Sequence, residues 1–310
     1  MSCNYLVTGG AGFLGCTLVR KLLAAGNRVV VYDNFSFGRR ENIAISDDRL
    51  TVVEGDINDT SLLKKVVAER DIRCVVHLAA LHFIPYCNQH PCETLRVNVE
   101  GTQNLLEVCR NSRVEKILSA SSAAVYPQSD LAYKESDPVG AFDIYGMSKM
   151  FTEHLINAFH QETGKPCGNL RFFNIYGPYE TNPHLIPRII EQYANRAMVI
   201  ELGNLSPKRD YIYVEDIADA IIAIIGLKHQ SVEVINIGTG LEYSVVEVVE
   251  KLNAITGRNV KVESVEKNRR AVDREHLLAD VSRLKSMTGW VPSHSIEEGL
   301  RKTAQFYKLI

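Results

Sequence analysis

The sequence predicts an α/β protein built on a parallel sheet that is covered by helices on both faces. Its first half alternates short apolar runs, rich in β-branched residues, with longer stretches of helical periodicity, and this alternation is typical of repeated βαβ units. The apolar runs show no alternation with polar residues, as expected when both faces of a sheet are buried. A chain of 310 residues, 45% of them hydrophobic, is large enough for one large domain or two joined domains.

The predicted strands and helices follow one another in a regular order. The strands are the apolar runs "NYLVTG", "RVVVYD", "LTVVEGD", "CVVHLAA", "KILSASS" and "GNLRFFN". The helices cover about residues 13–26, 61–70, 93–112 and 146–163. After about residue 175 the pattern breaks into shorter, turn-rich pieces. We therefore predict a dinucleotide-binding domain at 1–174, which also receives about 209–238, and a smaller α/β substrate domain interleaved with it at 175–310.

Composition argues against several kinds of partner. The net charge of −2 provides no basic excess for nucleic acid. No apolar run approaches the roughly 20 residues of a membrane span, and the N-terminus does not resemble a secretory signal. The seven cysteines are scattered without CxxC spacing, which argues against a disulfide framework or a metal site. We therefore expect a cytoplasmic protein without nucleic-acid, membrane or metal partners.

A glycine-rich turn follows the first predicted strand. In "YLVTGGAGFLG", Gly9, Gly12 and Gly15 lie between that strand and the first helix. Glycines at such positions permit a tight turn and the close approach of a pyrophosphate, and the helix N-terminus attracts its negative charge. The spacing is GxxGxxG rather than GxGxxG, but the strand, the helix and the acid discussed next agree with a dinucleotide site.

Asp33, at the end of the second predicted strand in "VVVYDNFS", indicates which dinucleotide binds. A carboxylate at this position accepts hydrogen bonds from the adenosine ribose and repels a 2′-phosphate, which favours NAD over NADP. Arg39 and Arg40 follow closely and keep NADP open as an alternative.

Tyr145 and Lys149 in "DIYGMSKMFTEHL" are four residues apart and therefore lie on one face of a helix. An ammonium near a phenol favours the phenolate, so we expect the pKa of Tyr145 to fall from about 10 toward 7. Tyr145 would then serve as a general base.

Six motifs in order strengthen this interpretation: "TGGAGFLG", "HLAA", "NVEGT", "SASSAAVY", "YGMSK" and "RFFNIYGP". Together they resemble the extended short-chain dehydrogenase/reductase family, and within it the nucleotide-sugar epimerases and dehydratases similar to UDP-glucose 4-epimerase. The resemblance runs through nearly the whole chain. It implies a doubly wound Rossmann domain, a smaller C-terminal α/β substrate domain and NAD as the cofactor.

The resemblance also assigns roles to individual residues. It places the following on NAD: Gly9, Gly12, Phe13, Leu14, Asp33, Asn34, Asp56, Ile57, Leu78, Ala79, Ala80, Asn98, Tyr145 and Lys149. Counting back from "VY" makes Ser122 the catalytic serine beside Tyr145 and Lys149, and Ser121 a packing or cofactor-side residue.

The nucleotide sugar is assigned to Ser122, Asn174 in "RFFN" and Arg209 in "KRDYIYVED", and to Arg270 and Asp273 in "RRAVD". Planar guanidinium groups suit phosphate oxygens because they offer paired donors. His82, in the loop after "HLAA", is a further candidate for contact with the sugar. Leu277, near a position that accommodates 2-substituents in the family, is neither small nor aromatic and does not indicate acetamido tolerance.

The family chemistry implies oxidation of the sugar at C4 to a 4-keto intermediate. Dehydratases of the family commonly carry an acidic side chain directly after the catalytic serine or threonine. Here Ala123 and Ala124 occupy those places and have no side-chain proton to exchange. We therefore predict an epimerase, favouring 4-epimerisation of a UDP-hexose with tightly bound NAD.

Two alternatives stay open. One is a dehydratase or 4-ketoreductase that uses groups from another segment, for which His82 and Cys87 are the candidates. The other belongs to a different class, a non-catalytic NAD-binding scaffold or sensor, because a fold alone does not assign function. The presence of Ser122, Tyr145 and Lys149 together argues against it.

The amphipathic helices near residues 93–112 and 146–163 resemble those that form a four-helix dimer interface in this family. We therefore expect a homodimer, although the same apolar stripes would also serve packing within one chain.

Overall fold

The structure is a computed structural model that describes residues 3–228, 231–268 and 274–310. The predicted substrate residues Arg270 and Asp273 lie outside the described residues. Two compact units divide the chain, the first comprising Met1–Pro127, Ser136–Phe172 and Ala218–Ile235. The second comprises Gln128–Glu135, Phe173–Ile217 and Asn236–Ile310. The chain thus leaves the first unit two residues before the predicted boundary, and both 128–135 and 209–217 belong to the second unit.

Strands and helices alternate through the first unit. The strands of the chain are β1 (Asn4–Thr8), β2 (Arg28–Asp33), β3 (Leu50–Glu54), β4 (Cys74–His77), β5 (Lys116–Ser122), β6 (Cys167–Phe172), β7 (Asn174–Tyr176), β8 (Val199–Leu202), β9 (Lys208–Arg209), β10 (Tyr211–Tyr213), β11 (Val232–Ile237), β12 (Tyr243–Ser244) and β13 (Lys261–Ser264). The α-helices are α1 (Phe13–Ala24), α2 (Thr60–Glu69), α3 (Ile84–Gln89), α4 (Pro91–Leu95), α5 (Gly101–Arg110), α6 (Ile144–Thr163), α7 (Leu185–Ala194), α8 (Val214–Ile225), α9 (Val245–Thr256), α10 (Ser282–Thr288) and α11 (Ile296–Phe306).

The central sheet has seven strands in the order β11-β6-β5-β4-β1-β2-β3. Neighbouring strands from β1 to β6 pair in parallel, and their order is that of a doubly wound dinucleotide-binding sheet. The predicted α/β Rossmann fold is therefore confirmed. In such sheets ligands bind beyond the carboxyl ends of the strands, where the predicted cofactor residues lie.

Helix α6 begins at the predicted catalytic tyrosine because a side chain caps it there. The carboxylate of Asp143 accepts a hydrogen bond from the Gly146 N–H at 2.8 Å, which satisfies one of the unpaired amides of the first turn. Gly164, in the left-handed conformation at φ +69°, ends the helix. The predicted helix at 93–112 is more complex, since a π-helical segment at Arg96–Glu100 joins α4 to α5.

In its described residues the second unit contains three two-stranded sheets, which pair β7 with β10, β9 with β12 and β8 with β13. Helices α9 and α11 both begin with a serine capping box. None of the helices in the described part of the chain is both long and apolar enough to cross a membrane.

Candidate active site

The glycine turn between β1 and α1 has the geometry of a phosphate cradle. Gly9 adopts a φ of +69°, and a Cβ on it would lie 2.7 Å from the Ala79 nitrogen. A Cβ on Gly15 would lie 2.2 Å from the Gly9 carbonyl oxygen, so neither position tolerates a side chain. At Gly12 a Cβ would meet only that same oxygen, at 3.2 Å. The open side of Gly12 leaves room for a pyrophosphate at the start of α1, where Phe13 and Leu14 are buried.

Asp33 ties this turn to the end of β2. Its carboxylate accepts hydrogen bonds from the Ala11 N–H at 2.9 Å and the Phe35 N–H at 2.8 Å. Burial raises the pKa of Asp33, and the two N–H groups act in the opposite direction. Each carboxylate oxygen has a second lone pair, so a ribose hydroxyl fits as an additional donor.

The neighbouring predicted NAD residues also form a connected group. The Asn34 amide donates to the Asp56 carboxylate at 2.9 Å. Burial acts to raise the pKa of Asp56, but the hydrogen bonds from Asn58 and Asn34 outweigh it and the pKa is lowered. Ile57 is buried and packs so closely against Gly101 that a Cβ there would lie 2.5 Å from its side chain.

Arg40, which kept NADP open, is engaged elsewhere. Its guanidinium lies 4.0 Å from the centre of the Phe35 ring and forms an ion pair with Glu54. Because Glu54 already compensates its charge, Arg40 offers a 2′-phosphate less attraction than a free arginine would.

The ends of β4 and β1 are joined by a buried histidine. His77 bonds Thr8 Oγ1 through Nδ1 at 2.7 Å and Thr102 Oγ1 through Nε2 at 3.0 Å. Burial, with a smaller effect of Lys149, lowers the pKa of His77 to about 3, so this histidine is neutral. Thr8 also accepts the N–H groups of Leu78 and Ala79, and it thereby positions the predicted dinucleotide-contacting segment, which ends at the half-buried Ala80.

Asn98 holds the next residues of the same loop. Its Oδ1 accepts the Leu81 N–H at 2.8 Å, and its Nδ2 donates to the Leu81 carbonyl and to Ser148 Oγ, both at 2.9 Å. All of its side-chain hydrogen-bonding capacity on Nδ2 is thus used inside the protein. Asn98 therefore links the loop after β4 to α6 through Ser148.

The structure brings the predicted catalytic set together within the first unit. Ser122 ends β5, its Oγ accepts the Ala124 N–H at 3.1 Å, and its side chain lies near enough to the Tyr145 phenol to act toward a lower pKa of that group. The Lys149 ammonium lies 5.9 Å from the centre of the Tyr145 ring and donates to the Ala120 carbonyl at 2.7 Å. Serine, tyrosine and lysine thus meet where β5 ends and α6 begins.

The predicted lowering of the Tyr145 pKa is wrong for this structure. Burial raises the pKa of Tyr145 above its usual value, against the opposing effect of the Ser122 side chain. Burial also lowers the pKa of Lys149, to about 8. Desolvation disfavours the charged form of each group, and the ammonium is directed to the Ala120 carbonyl rather than to the phenol.

Cys87, a candidate acid or base for the dehydratase alternative, is fully buried. It packs in an apolar cluster with Leu81, Ala124 and Tyr145. Burial raises the pKa of its thiol. Cys87 is therefore an uncharged residue packed against Tyr145 and not an accessible acid or base. His82 is half-buried in the loop between β4 and α3.

The second unit carries two of the predicted nucleotide-sugar contacts, Asn174 and Arg209. Asn174 Oδ1 is shielded from solvent and accepts no hydrogen bond within the described residues, and an unpaired buried acceptor of this kind is costly unless a ligand supplies a donor. Arg209 donates to the carbonyls of Lys208 and Arg274, both at 2.7 Å. Residues 208–210 are paired with the segment at 275–277, which places Arg209 on a supported strand.

The family profile described as GDP-mannose 4,6 dehydratase matches residues 6–303 of the chain. The chain belongs to this family. The match spans both units, and it agrees with the fold and with the set of serine, tyrosine and lysine. The predicted membership among NAD-dependent nucleotide-sugar epimerases and dehydratases is confirmed, and with it the prediction of an enzyme.

Several members of the family are similar over their full length. UDP-glucose 4-epimerase from Corynebacterium glutamicum is 32% identical over 306 residues, covering 94% of this chain and 91% of that one. Among solved structures, UDP-N-acetylglucosamine 4-epimerase from Methanobrevibacter ruminantium M1, in complex with UDP-N-acetylmuramic acid, has a TM-score of 0.91 at 30% identity and covers 99% of both chains. UDP-glucuronic acid 4-epimerase from Bacillus cereus, in complex with UDP-glucuronic acid and NAD, has a TM-score of 0.90 at 27% identity, covering 98% of this chain and 99% of that one.

Sequence reasoning missed two residues, Ser148 and Glu153, that contact the segments carrying Ser122, Tyr145 and Lys149. Ser148 lies directly before Lys149 and receives the Asn98 amide. Glu153, four residues after Lys149, is buried with Arg171. The spacing of Glu153 on the catalytic helix was a signal that could have found it, since it lies on the same face as Tyr145 and Lys149.

Proposed function

We propose that the protein is an NAD-dependent epimerase that inverts C4 of a UDP-sugar through a transient 4-keto intermediate. The observation that carries this proposal is the meeting of Ser122 at the end of β5 with Tyr145 and Lys149 at the start of α6, with two alanines directly after the serine. Ala123 and Ala124 are buried and provide no acid or base for the elimination of water.

NAD, which the glycine turn and Asp33 would hold, would supply the reversible hydride chemistry by which hydrogen leaves the sugar C4 and returns to the opposite face of the ring. Tyr145 takes the proton of the C4 hydroxyl and gives it back after the sugar has turned, while Ser122 donates a hydrogen bond to the same oxygen. Tyr145 must lose its own proton before this step, and the positive charge of Lys149, 5.9 Å from the centre of its ring, favours that loss against the burial that raises the pKa of Tyr145. The residues present fit the cofactor, because the open side of Gly12 and the spare lone pairs of Asp33 correspond to its pyrophosphate and its ribose.

A uridine nucleotide is supported by the relatives, which are named as acting on UDP-glucose, UDP-N-acetylglucosamine or UDP-glucuronic acid. In this chain, Asn174 and Arg209 are the proposed contacts to the sugar nucleotide, together with Arg270, Asp273 and, on the first unit, His82. An amide and two guanidinium groups suit a diphosphate because they supply several directed donors.

Incubation of the purified protein with a panel of UDP-, dTDP-, GDP- and CDP-sugars tests the proposal. We expect one UDP-sugar to give an isomer of unchanged mass, resolved by NMR, without net consumption of NAD. Tyr145→Phe should lower turnover by about a thousandfold or more, because the proton acceptor is lost. The matched control is Phe142→Leu, an exposed residue before α6, which should turn over like the wild type.

Two results would contradict the proposal in different ways. A product lighter by one water would indicate a dehydratase. If no sugar reacts and Tyr145→Phe changes no measured property, a non-catalytic NAD-binding role would be favoured instead.

We also propose that the protein is a homodimer formed through the helices of its first unit, and that it acts in the cytoplasm. On α6, Phe151 is 57% exposed and Met147 is 41% exposed, and Leu95 on α4 is 37% exposed. Large apolar side chains grouped on helix faces favour a protein partner. A dimeric mass in sedimentation equilibrium is expected, and a monomeric mass at micromolar concentration would contradict it. Reduced thiols such as the buried Cys16 and Cys109 are typical of a cytoplasmic protein.

A further inference from the structure

Helix α6 carries a buried acid that the proposed chemistry does not use. Tyr145, Lys149 and Glu153 are spaced by four residues and therefore lie along one face of the helix. The side chain of Glu153 is only 9% exposed. A carboxylate buried to this degree is costly unless charged and hydrogen-bonded partners compensate it.

Two neighbouring strands supply those partners. Ser121 Oγ donates to Glu153 Oε1 at 2.6 Å. Arg171 donates to the same carboxylate from two nitrogens, from Nε to Oε1 at 2.8 Å and from Nη2 to Oε2 at 2.7 Å. Ser121 on β5 and Arg171 on β6 are directly paired in the sheet, so their side chains leave the same face side by side. One carboxylate thus joins α6 to both strands.

Arg171 extends the network to the turn after the catalytic serine. Its Nη1 donates to the Tyr126 hydroxyl at 2.8 Å, and the guanidinium lies 4.8 Å from the centre of the Tyr126 ring. Tyr126 is fully buried and follows the short 3-10 turn at Ala123–Val125. Ser122 is therefore flanked by two anchored residues, Ser121 before it and Tyr126 four residues after it.

We propose that Glu153 is a positioning residue that holds Ser122 in register with Tyr145 and Lys149. Through Ser121 and Arg171 its carboxylate holds the end of β5 against the catalytic helix, and it places a negative charge one helical turn from Lys149. The proposal rests on the proposed epimerase function for its kinetic test.

The charge effect follows from the groups around Lys149. His77 faces it from β4 and is neutral because burial lowers its pKa. Cys87 faces it from α3, burial raises the pKa of that thiol, and Cys87 raises the pKa of Lys149 more than Glu153 does. From α6 itself come Tyr145, a phenol whose pKa burial raises, and Glu153, whose charge raises the pKa of Lys149 against the effect of burial.

The remaining elements change this balance little. Strand β5 offers Lys149 the uncharged Ala120 carbonyl, and Arg171 on β6 is paired with Glu153. A neutral side chain at 153 should therefore lower the pKa of Lys149 further.

Ser121→Ala tests the positioning role with the smallest change, because it removes only the bond between β5 and Glu153. We expect kcat to fall about tenfold with KM within about twofold, since the substrate contacts stay in place. Ser119→Ala is the matched control. Ser119 is equally buried on the same strand two residues earlier and should turn over like the wild type. Equal kcat values for Ser121→Ala and the wild type would overturn the positioning role.

Glu153→Gln and Glu153→Asp separate the effect of the charge at position 153 from the effect of the side-chain length. Glutamine removes the charge, so the alkaline limb of the kcat pH profile should move to lower pH by about one unit. Aspartate keeps the charge but is one methylene shorter, so the limb should stay in place while kcat falls. An unmoved limb in Glu153→Gln, with only the melting temperature lowered, would overturn the charge role and leave a purely structural one.

Other measurements decide the proposal if a variant does not fold or if no sugar is converted. If Glu153→Gln does not fold, the comparison of Ser121→Ala with Ser119→Ala decides the positioning role, and Glu153→Asp is compared with the wild type for the limb. If the wild type converts no UDP-sugar, the proposed function is wrong. The charge role is then decided by the pH dependence of NAD affinity, measured by calorimetry, which should shift to lower pH in Glu153→Gln.

Discussion

Each unit of the protein contains a buried carboxylate that supports a strand of the candidate site, and these two carboxylates are stabilised in different ways. Glu153 in the first unit lies against the guanidinium of Arg171. Asp210 in the second unit is fully buried, and the donors around its carboxylate are neutral. Its Oδ1 accepts the N–H and the hydroxyl of Thr239, at 2.8 and 2.7 Å, and its Oδ2 accepts the N–H of Gly240 at 2.9 Å and of Ala279 at 3.3 Å.

The difference appears in the pKa values of Asp210 and of Arg171, the partner of Glu153. Burial raises the pKa of Asp210 to about 6, although all four donors act to lower it. At Arg171 burial acts to lower the pKa, yet the hydrogen bonds and charge of Glu153 outweigh it and raise the pKa. A full opposite charge therefore compensates desolvation where neutral donors do so only in part. Glu153, which is paired with Arg171, supports the catalytic strand β5. Asp210, which is bonded to neutral donors, supports the strand that carries Arg209.

Arg171→Met should have the largest effect, because it leaves Glu153 buried without a cation. Loss of one partner of a buried pair costs about 3–5 kcal/mol, to be measured as the free energy of unfolding in urea. The double variant Glu153→Leu with Arg171→Met should recover most of this stability, since no charge is left unpaired, but not the turnover. A loss below about 1 kcal/mol in Arg171→Met would remove the contrast with Asp210.

The pH dependence of the free energy of unfolding should distinguish Asp210 from Glu153. The folded pKa of Asp210, about 6, lies above its unfolded value of about 3.9. Its contribution is therefore fully present below about pH 4 and is lost as the pH rises through 6. Relative to Asp210→Asn, which cannot titrate, the free energy of unfolding of the wild type should fall by about 3 kcal/mol between pH 4 and pH 7. A constant difference would mean that the four donors compensate burial completely.

Lys21→Ala should have the smallest effect on the free energy of unfolding. Its comparison with Arg171→Met shows how much burial adds to the effect of an ion pair. Lys21 and Asp219 form an ion pair at 2.7 Å, with side chains that are 29% and 42% exposed. Exposed pairs contribute at most about 1 kcal/mol, and salt screens them. The free energy of unfolding should therefore change by less than about 1 kcal/mol, and less again in 0.5 M salt. A loss as large as that of Arg171→Met would show that charge pairing matters more here than burial.

Local patterns predicted much of the fold and of the cofactor side of the site. The glycine turn is recognisable because Gly9 needs a positive φ and Gly15 needs close packing, and both requirements act within a few residues. The pairing of Tyr145 with Lys149 follows from helical spacing alone. The order of apolar runs predicted the strands of the sheet because each run must be buried on both faces.

The rest depended on contacts between distant segments. The bond from Ser121 to Glu153 spans 32 residues, and no local pattern indicates which buried serine meets which acid. The lowered pKa that we expected for Tyr145 failed for the same reason. Spacing shows that a lysine is near, but not that burial surrounds the phenol or that the ammonium is directed to the Ala120 carbonyl.

Short-range patterns in the sequence were enough to predict the fold class, the dinucleotide turn and the pairing of Tyr145 with Lys149, because turn geometry, strand burial and helix periodicity act over a few residues. Ser122 was singled out by the resemblance to the family. Which of these groups are charged, and which contacts hold them in register, depends on the packing of distant segments. Desolvation and hydrogen-bond partners depend on everything packed around a side chain, and for Tyr145, Lys149 and Glu153 that packing comes from strands and helices distant in the sequence.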